Sequence, residues 1–262
     1  MRILSWNVNG IRAVEKKGFV GWIETESPDL LGIQETKARP EQLSPDLISP
    51  RDNAGAVYTS YWASAKKAGY SGVAIYSKVK PLDVKPLGIS AFDDEGRVLQ
   101  AEFRDFTFIS AYFPNSQDAG ARLGYKLDFC AAILELCNTY VAQKRHFVLC
   151  GDYNIAHTPI DIARPKENEG NAGYLPEERA WMDAFTAAGH VDTFRSFHPG
   201  EAGHYSWWSY RANARARNVG WRLDYHCVDR AFMPKVTSSV IRPEVQGADH
   251  CPVQIEIKGT LK

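Results

Sequence analysis

The five cysteines (130, 137, 150, 227 and 251) form no CxxC pair, and most lie inside apolar runs. An odd count without metal-ligand spacing speaks against a disulfide framework and points to reduced, buried thiols in a cytoplasmic setting. Neither sign of charge is in excess: 31 Lys and Arg face 31 Asp and Glu, so global charge predicts no polyanion partner and only a local patch could recruit one. No apolar stretch approaches the roughly 20 residues that span a bilayer, so no membrane-spanning helix is expected. The N-terminal Met1-Arg-Ile-Leu-Ser-Trp-Asn7 is strand-like rather than a leader. Linkers, low-complexity tracts and fixed-period repeats are also missing. What is left is an ordinary globular composition, 44% hydrophobic and 24% charged over 262 residues, with enough chain for a sizeable core and read as one domain, 1–262.

The chain is organised around His146-Phe-Val-Leu-Cys-Gly-Asp-Tyr-Asn154. Phe147 to Cys150 is a short apolar run of the kind buried on both faces of a packed sheet. Gly151 ends it, and Asp152 and Asn154 follow at a spacing of two, which in extended backbone points both side chains the same way. A carboxylate able to take a proton or hold a metal then sits beside an amide able to donate to an anion. Asp and Asn also make plain turns, so the pair gains meaning from its company.

Ile3 to Val8 is the first predicted strand, ending Asn7-Val-Asn9-Gly10. A short helix over Phe19 to Glu26 is stopped by Ser27-Pro28, and Leu30 to Ile33 runs straight into Gln34 and Glu35. Pro40 to Pro50 is a proline-bounded loop or short helix. Further strands are expected at Val57 to Ala63, Gly72 to Ser77, Val98 to Phe103 and Phe106 to Phe113, with Asp93-Asp-Glu-Gly96 as a turn. Leu123 to Gln143 carries apolar residues at 123, 127, 130, 134, 137 and 141, a helical stripe on which Cys130 and Cys137 pack. Pro176-Glu177-Glu178 opens another helix, ending near Gly189. Tyr205 to Ser209, Arg222 to Val228, Val236 to Ile241 and Val253 to Ile257 complete the strands. Many strands with three or four helices between them predict two packed sheets covered by helices, an α/β sandwich. Pro159 to Gly173 is too long for an idle connection and is a candidate functional loop.

Polar residues recur at strand ends: Asn7 and Asn9, Glu35, Tyr112, Asp152 and Asn154, with Asp224 inside an apolar segment and Asp249-His250 just before the last strand. Each alone has a bland explanation. Asn7 could make a turn, Tyr112 could be a half-buried strand aromatic, His250 a satisfied core histidine, and Asp224 an ion-pair partner of Arg222 or Arg230. Their joint occurrence points to one rim, because packed sheets bring such ends together. No Ser or Cys stands in a nucleophile elbow. Carboxylates and amides without a Cys/His cluster suit a hard cation such as magnesium. Such a cation beside a base, an amide donor, a phenol and a histidine suits phosphodiester hydrolysis: cation and donors neutralise charge on the phosphate oxygens while a carboxylate aligns water. Either Asp224 or Asp249 could orient the His250 imidazole.

Seven segments carry a family resemblance: Trp6-Asn-Val-Asn-Gly10, Gln34-Glu-Thr-Lys37, Gly69-Tyr-Ser-Gly-Val73, Tyr112-Phe-Pro-Asn115, Gly151-Asp-Tyr-Asn-Ile-Ala156, Asn218-Val-Gly-Trp-Arg-Leu-Asp-Tyr225 and Asp249-His-Cys-Pro252. In this order, from about residue 2 to residue 257, they resemble the motif set of the exonuclease III family of abasic-site DNA endonucleases. The resemblance implies a four-layer α/β sandwich of the endonuclease/exonuclease/phosphatase type, acting as a monomer. It implies magnesium-dependent cleavage 5′ to an abasic site in duplex DNA, with manganese able to substitute, leaving a 3′-hydroxyl for repair synthesis. The family often adds 3′-phosphatase, 3′-phosphodiesterase and 3′→5′ exonuclease activity on blocked 3′ ends.

By the same resemblance Glu35 would bind the metal, helped by Asn7 and Asp249, with Asp152, Asn154 and His250 also counted in the metal set. Asp152 would orient or deprotonate water, Asn154 would hydrogen-bond the phosphate, and Tyr112 would contact the phosphate or assist the leaving oxygen. His250, oriented by Asp224 or Asp249, would stabilise the phosphorane-like state. Trp207, Trp221 and Leu223 would wall an abasic-sugar pocket, while Tyr70, Arg97, Asn115, Asn213 and Arg217 would lie near the DNA. Certain relatives have an aspartate where this chain has Asn9, and a basic residue in the loop after Tyr112, where Ser116-Gln117-Asp118 offers none.

Gly203 to Leu223 supports DNA binding independently, carrying Arg211, Arg215, Arg217 and Arg222 with no acidic residue, interleaved with Trp207, Trp208, Tyr210 and Trp221. Arginines contact phosphates and aromatics line a slot for an extruded sugar, which predicts salt-sensitive binding. The alternative is core tryptophans and solvated arginines. Other functions compete with abasic incision: 3′-end processing with little incision, a DNase I-like nuclease or phosphoinositide or sphingolipid phosphatase on the same scaffold, and a non-catalytic nucleic-acid-binding regulator. The full set of Asn7, Glu35, Tyr112, Asp152, Asn154, Asp224, Asp249 and His250 favours an enzyme.

Overall fold

Alternation along the Phe147–Asp152 strand sets the layering of the molecule, whose computed structural model describes residues 1–261. Phe147 and Leu149 face one way, Val148 and Cys150 the other, and all four are buried. A strand apolar on both faces belongs in the interior of a sheet covered on both sides.

Two six-stranded mixed sheets result. The first has the order β11 (Val236–Ile241), β12 (Val253–Ile257), β1 (Arg2–Asn7), β2 (Leu30–Gln34), β4 (Val73–Ser77) and β3 (Thr59–Ala63). The second has β5 (Asp83–Lys85), β6 (Val98–Glu102), β7 (Thr107–Tyr112), β8 (Phe147–Asp152), β10 (Asp224–Asp229) and β9 (His190–Asp192). Between the sheets, Val148, Cys150 and Phe108 meet Ile3, Leu30, Ile75 and Ile255. Outside the second sheet, Phe147 and Leu149 pack on Phe129, Cys130, Ile133 and Cys137 of α5 (Leu123–Ala142) and on Met182 and Phe185 of α6 (Pro176–Ala187). Outside the first, Leu4, Trp6, Leu31 and Tyr76 pack on α1 (Ile11–Glu15) and on Phe19 and Ile23 of α2 (Phe19–Glu26). The architecture is the expected four-layer α/β sandwich. Each large side chain fully buried here contributes about 1.5–3 kcal/mol, so these three apolar layers dominate stability.

Register then decides what meets at the rim. Tyr112 of β7 lies opposite Asp152 of β8 in parallel pairing, and Asp152 lies opposite Asp224 of β10 in antiparallel pairing. On the facing sheet, Asn7 ends β1 beside Gln34 of β2, one residue before Glu35. The inter-sheet layer turns polar toward this end: Ser5 Oγ donates to Gln34 Oε1 at 3.2 Å, and Gln34 Nε2 donates to Ser110 Oγ at 3.1 Å. Gly151 makes the close approach possible. It has φ 145°, and a Cβ there would sit 1.8 Å from the Ala111 carbonyl oxygen.

Several expectations need correction. Tyr205 to Ser209 is no strand; Trp207 makes only isolated bridges to Trp221 and His250, because its neighbours turn away after one or two hydrogen bonds. The predicted strand from Arg222 begins only at Asp224, since the Arg222 N–H donates to the Asp161 carbonyl at 2.7 Å instead of to a neighbouring strand. Asp93 ends a short helix, α4 (Ser90–Asp93), with the turn behind it, and Asp93 Oδ1 and Oδ2 accept the Leu87 and Gly88 N–H groups. The two three-residue strands β5 and β9 were too short to show a period. Pro40 to Pro50 holds a 3-10 turn over Pro40–Gln42 and a short helix, α3 (Pro45–Ile48). The five cysteines are free and buried. Among the described residues, no helix is long and apolar enough to cross a membrane.

Substituting Gly151→Ala forces a methyl group into the β7 backbone. A loss of about 3 kcal/mol in urea unfolding is expected; an unchanged midpoint would contradict this placement of β7 against β8.

Candidate active site

Asp152 ends β8 with its carboxylate buried, and its neighbours determine its chemistry. Asn7 Nδ2 donates to Asp152 Oδ2 at 2.9 Å across the gap between the sheets. The Asn154 N–H donates to Oδ1 at 2.7 Å, and Asn154 Nδ2 donates to Oδ2 at 3.2 Å. Extended backbone is not what aligns Asp152 with Asn154. Asn154 has φ 50°, in the left-handed region that Asn tolerates, and folds back over the carboxylate.

His250 approaches from the other side. Its Nε2 lies 3.8 Å from Asp152 Oδ2, and its Nδ1 lies 2.8 Å from Asp224 Oδ2, which also accepts from Ser206 Oγ at 2.7 Å. Of the two acids the sequence left open, Asp224 therefore orients the imidazole. Asp249 is held elsewhere, accepting from Asn9 Nδ2 at 2.9 Å and from Trp207 Nε1 at 3.1 Å. Asp224 is not paired with Arg222 or Arg230 in an ion pair.

The charges follow from this packing. Burial opposes a charged His250, but Asp224, Asp152 and Asp249 outweigh it and push the imidazole up to about 10. Burial raises Asp152; His250 opposes, Asp224 adds to the rise, and the carboxyl is pushed up to about 7. Burial, then Glu35 and Asp152, hold the Tyr112 phenol well above its ordinary range. Tyr112 is thus a protonated donor at neutral pH.

Asn7, Tyr112, Asp152, Asn154 and His250 open on one cavity of about 800 Å³, with Asp224 behind it. At one side Glu35 presents its carboxylate with Lys37 Nζ 3.0 Å away, and Lys37 also donates to Asn9 Oδ1 at 2.6 Å. At the other, Trp207 and Trp221 meet edge to face with ring centroids 6.0 Å apart, backed by Ile162, Tyr174 and Leu223. The Pro159 to Gly173 loop does reach the site, through Gly170 to Gly173. Four carboxylates line the cavity (Glu35, Asp118, Asp152 and Asp249), whereas its cationic groups are Lys37 and His250. An oxygen-rich, acidic site of this kind fits a hard divalent cation, and an anion would enter it poorly without one. Asp152, Asp224 and His250 also place ligand atoms within 4.8 Å of one another. That trio could hold an ion only with the imidazole neutral. Asn154 is arranged as a donor, its NH₂ turned to Asp152 and to the Phe113 carbonyl, and its Oδ1 engaged by Asn115 Nδ2 at 3.2 Å.

The DNA candidates are dispersed. Asn115, Trp207, Trp221 and Leu223 line this cavity, while Tyr70 is half-buried on the Arg97 and Arg122 guanidinium groups. Arg97 is not a surface contact: it is 1% exposed, held by Glu95 at 2.6 Å and donating to the Tyr112 carbonyl at 3.0 Å. Asn213 borders a separate cavity with Trp208 and Arg215, and Arg217 is exposed. The basic stretch divides in two. Arg222 is fully buried against Asp161 at 2.6 Å and Asp192 at 2.8 Å, and Arg215 donates to the carbonyls of Pro243, Val245 and Ala248. Arg211 and Arg217 remain exposed. Lys37 and Ser206 were missed. Lys37 stands two residues after Glu35 in a recognised segment, whereas Ser206 gave no signal because its surroundings read as a strand.

Comparison with known proteins places the whole chain. A model of the endonuclease/exonuclease/phosphatase family matches residues 4–250. The chain is 41% identical over 259 residues to an exodeoxyribonuclease of Bacillus subtilis, covering 98% of this chain and 99% of that protein. It is 42% identical over 261 residues to the DNA repair nuclease APEX1 of Danio rerio, covering 97% and 81%. The structure of the 3′ phosphatase NExo from Neisseria, bound to product DNA hairpin, matches with a TM-score of 0.85 at 26% identity, covering 99% of this chain and 100% of that one. In sequence and in fold, the chain belongs to the endonuclease/exonuclease/phosphatase family, among its exodeoxyribonucleases and DNA repair nucleases.

Proposed function

We propose that this protein is a metal-dependent DNA repair nuclease that hydrolyses the phosphodiester 5′ to an abasic site in duplex DNA and also clears blocked 3′ ends. One observation carries the reading. Asp152 and His250, with Asp224 behind the imidazole, share a cavity with an apolar wall of Trp207, Trp221 and Leu223. Such a wall suits a sugar that has lost its base and been extruded from the duplex.

Asp152 accepts a proton from the attacking water, since its raised pKa leaves it basic yet ionised just above neutrality. The His250 imidazolium, anchored at Nδ1 by Asp224, donates from Nε2 to a phosphate oxygen as charge develops there. Asn154 holds the Asp152 carboxylate with its N–H and one amide hydrogen and turns to the phosphate the amide hydrogen now on the Phe113 carbonyl, and the Tyr112 phenol hydrogen-bonds the phosphate or the departing 3′ oxygen. Glu35, with Asn7 and Asp249, supplies the oxygens for a divalent cation, which we assign as magnesium with manganese able to replace it; when bound, it neutralises charge on the phosphate. Asn115, Asn213 and Arg217, with Tyr70 braced by Arg97, complete the surface offered to DNA. We assign the protein to the cytoplasm as a single-domain monomer. A second reading, 3′-end trimming with little internal incision, is favoured by Asp118 and Ala119 at the cavity mouth, where a duplex-entering cation is missing from the lining.

On a labelled duplex carrying one abasic site, magnesium-dependent incision is expected, with Asp152→Asn lowering kcat by roughly 10²–10⁴-fold. Incision that persists in chelator would refute the metal assignment; trimming of a recessed 3′-phosphate without incision would select the second reading. The pH profile of kcat/KM should rise with ionisation of Asp152 through about 7 and fall as His250 loses its proton near 10. The Asp224 charge raises both groups, so Asp224→Asn moves both limbs to lower pH. An alkaline limb that stays in place in that variant would remove His250 from the mechanism.

A further inference from the structure

One buried charge pair takes no part in the chemistry above. Lys126 of α5 and Glu178 of α6 are both 0% exposed, with Lys126 Nζ 2.6 Å from Glu178 Oε1. An apolar pair of similar volume would often serve stability as well as a buried ion pair, so the charges call for another reason. Their remaining partners supply one. Lys126 Nζ also donates to the Asn154 carbonyl at 2.6 Å, directly behind the left-handed turn that folds Asn154 over Asp152. Glu178 Oε1 accepts from Ser116 Oγ at 2.7 Å, next to Asn115, whose amide holds Asn154 Oδ1. Glu178 Oε2 accepts the Leu175 N–H at 2.9 Å, just after Gly173, whose carbonyl is tied to the Ala156 N–H at 2.8 Å.

We propose that Lys126 and Glu178 form a positioning pair for phosphodiester hydrolysis, fixing the Asp152–Asn154 turn, the Asn115–Ser116 segment and the Gly173 end of the cavity loop to one another. This rests on the functional assignment above. The ammonium draws the Asn154 carbonyl away from the cavity and so keeps the residue's N–H and NH₂ on Asp152. The carboxylate, held by the same ammonium, carries that constraint to the two loops. Neither side chain lines the cavity, so substrate binding does not depend on them; alignment of the reacting groups does.

The test is the double variant Lys126→Met/Glu178→Met, which removes both charges while keeping volume, assayed as the full chain on the abasic duplex. Its fold is checked by circular dichroism and cooperative melting. The expected result is a folded protein whose kcat falls about 10- to 100-fold, the size of effect that small misplacement causes, while KM and the Kd for uncut duplex in chelator change less than about threefold. Ser116→Ala, which keeps both charges and removes one donor from Glu178, should lower kcat by roughly three- to tenfold. A folded double variant with wild-type kcat, or a loss confined to KM, overturns the proposal. Should the double variant not fold, Ser116→Ala decides, and an unchanged kcat there overturns it. Wild-type protein inactive on abasic duplex refutes the functional assignment itself, whereas active wild type with indifferent variants refutes only the positioning role.

Discussion

Keeping one buried carboxylate supplied with donors is the constraint behind the whole rim. Asp152 sits at the junction of two sheets, where an uncompensated charge would be costly. Its compensation comes from three separated parts of the chain: Asn7 on the facing sheet, Asn154 in the following turn, and His250 before the last strand, whose imidazole is anchored by Asp224 of the neighbouring strand. The Asn7 bond joins the sheets at the point where chemistry would occur. Sliding one sheet over the other would disturb the apolar layer between them and starve the carboxylate at once. The precision of the site is therefore a property of the fold and not of any single loop.

Much of this was legible in the chain because the signals were long and regular. The buried run Phe147 to Cys150, the stripe on Leu123 to Gln143 and the strand ends at Asn7, Glu35 and Tyr112 depend on period and termination, which survive without knowledge of neighbours. What the sequence could not carry was partnership between distant segments. Asp224 and Asp249 were equivalent as orienting acids until register placed Asp224 opposite Asp152. Asp152 and Asn154 do converge, but by a left-handed turn and not by extended alternation. The convergence was read from the chain through the wrong geometry.

The Gly203 to Leu223 stretch shows how composition misleads. Four arginines among aromatics resemble a nucleic-acid surface, yet Arg222 and Arg215 are spent on carboxylates and carbonyls of their own chain, and Trp208 is core. Arginine's planar fork makes it as good a structural cross-link as a phosphate ligand, and sequence alone does not distinguish the two uses. Tryptophan divides similarly: Trp207 and Trp221 face the cavity, while Trp208 lies under Arg215.

The loop beside the cavity is secured to the body at its two ends and bonded chiefly to itself between them. Asp161 is clamped by Arg195 and Arg222, and Gly173 is tied to Ala156, but most of the arc from 164 to 171 is exposed. Lengthening such an arc is entropically mild, each doubling adding about 0.6 kcal/mol. Insertions or deletions there can reshape one lip of the cavity while leaving the distances among Asp152, His250 and Asp224 where the sheets set them. The molecule thus separates a lip that can drift from a rim that cannot.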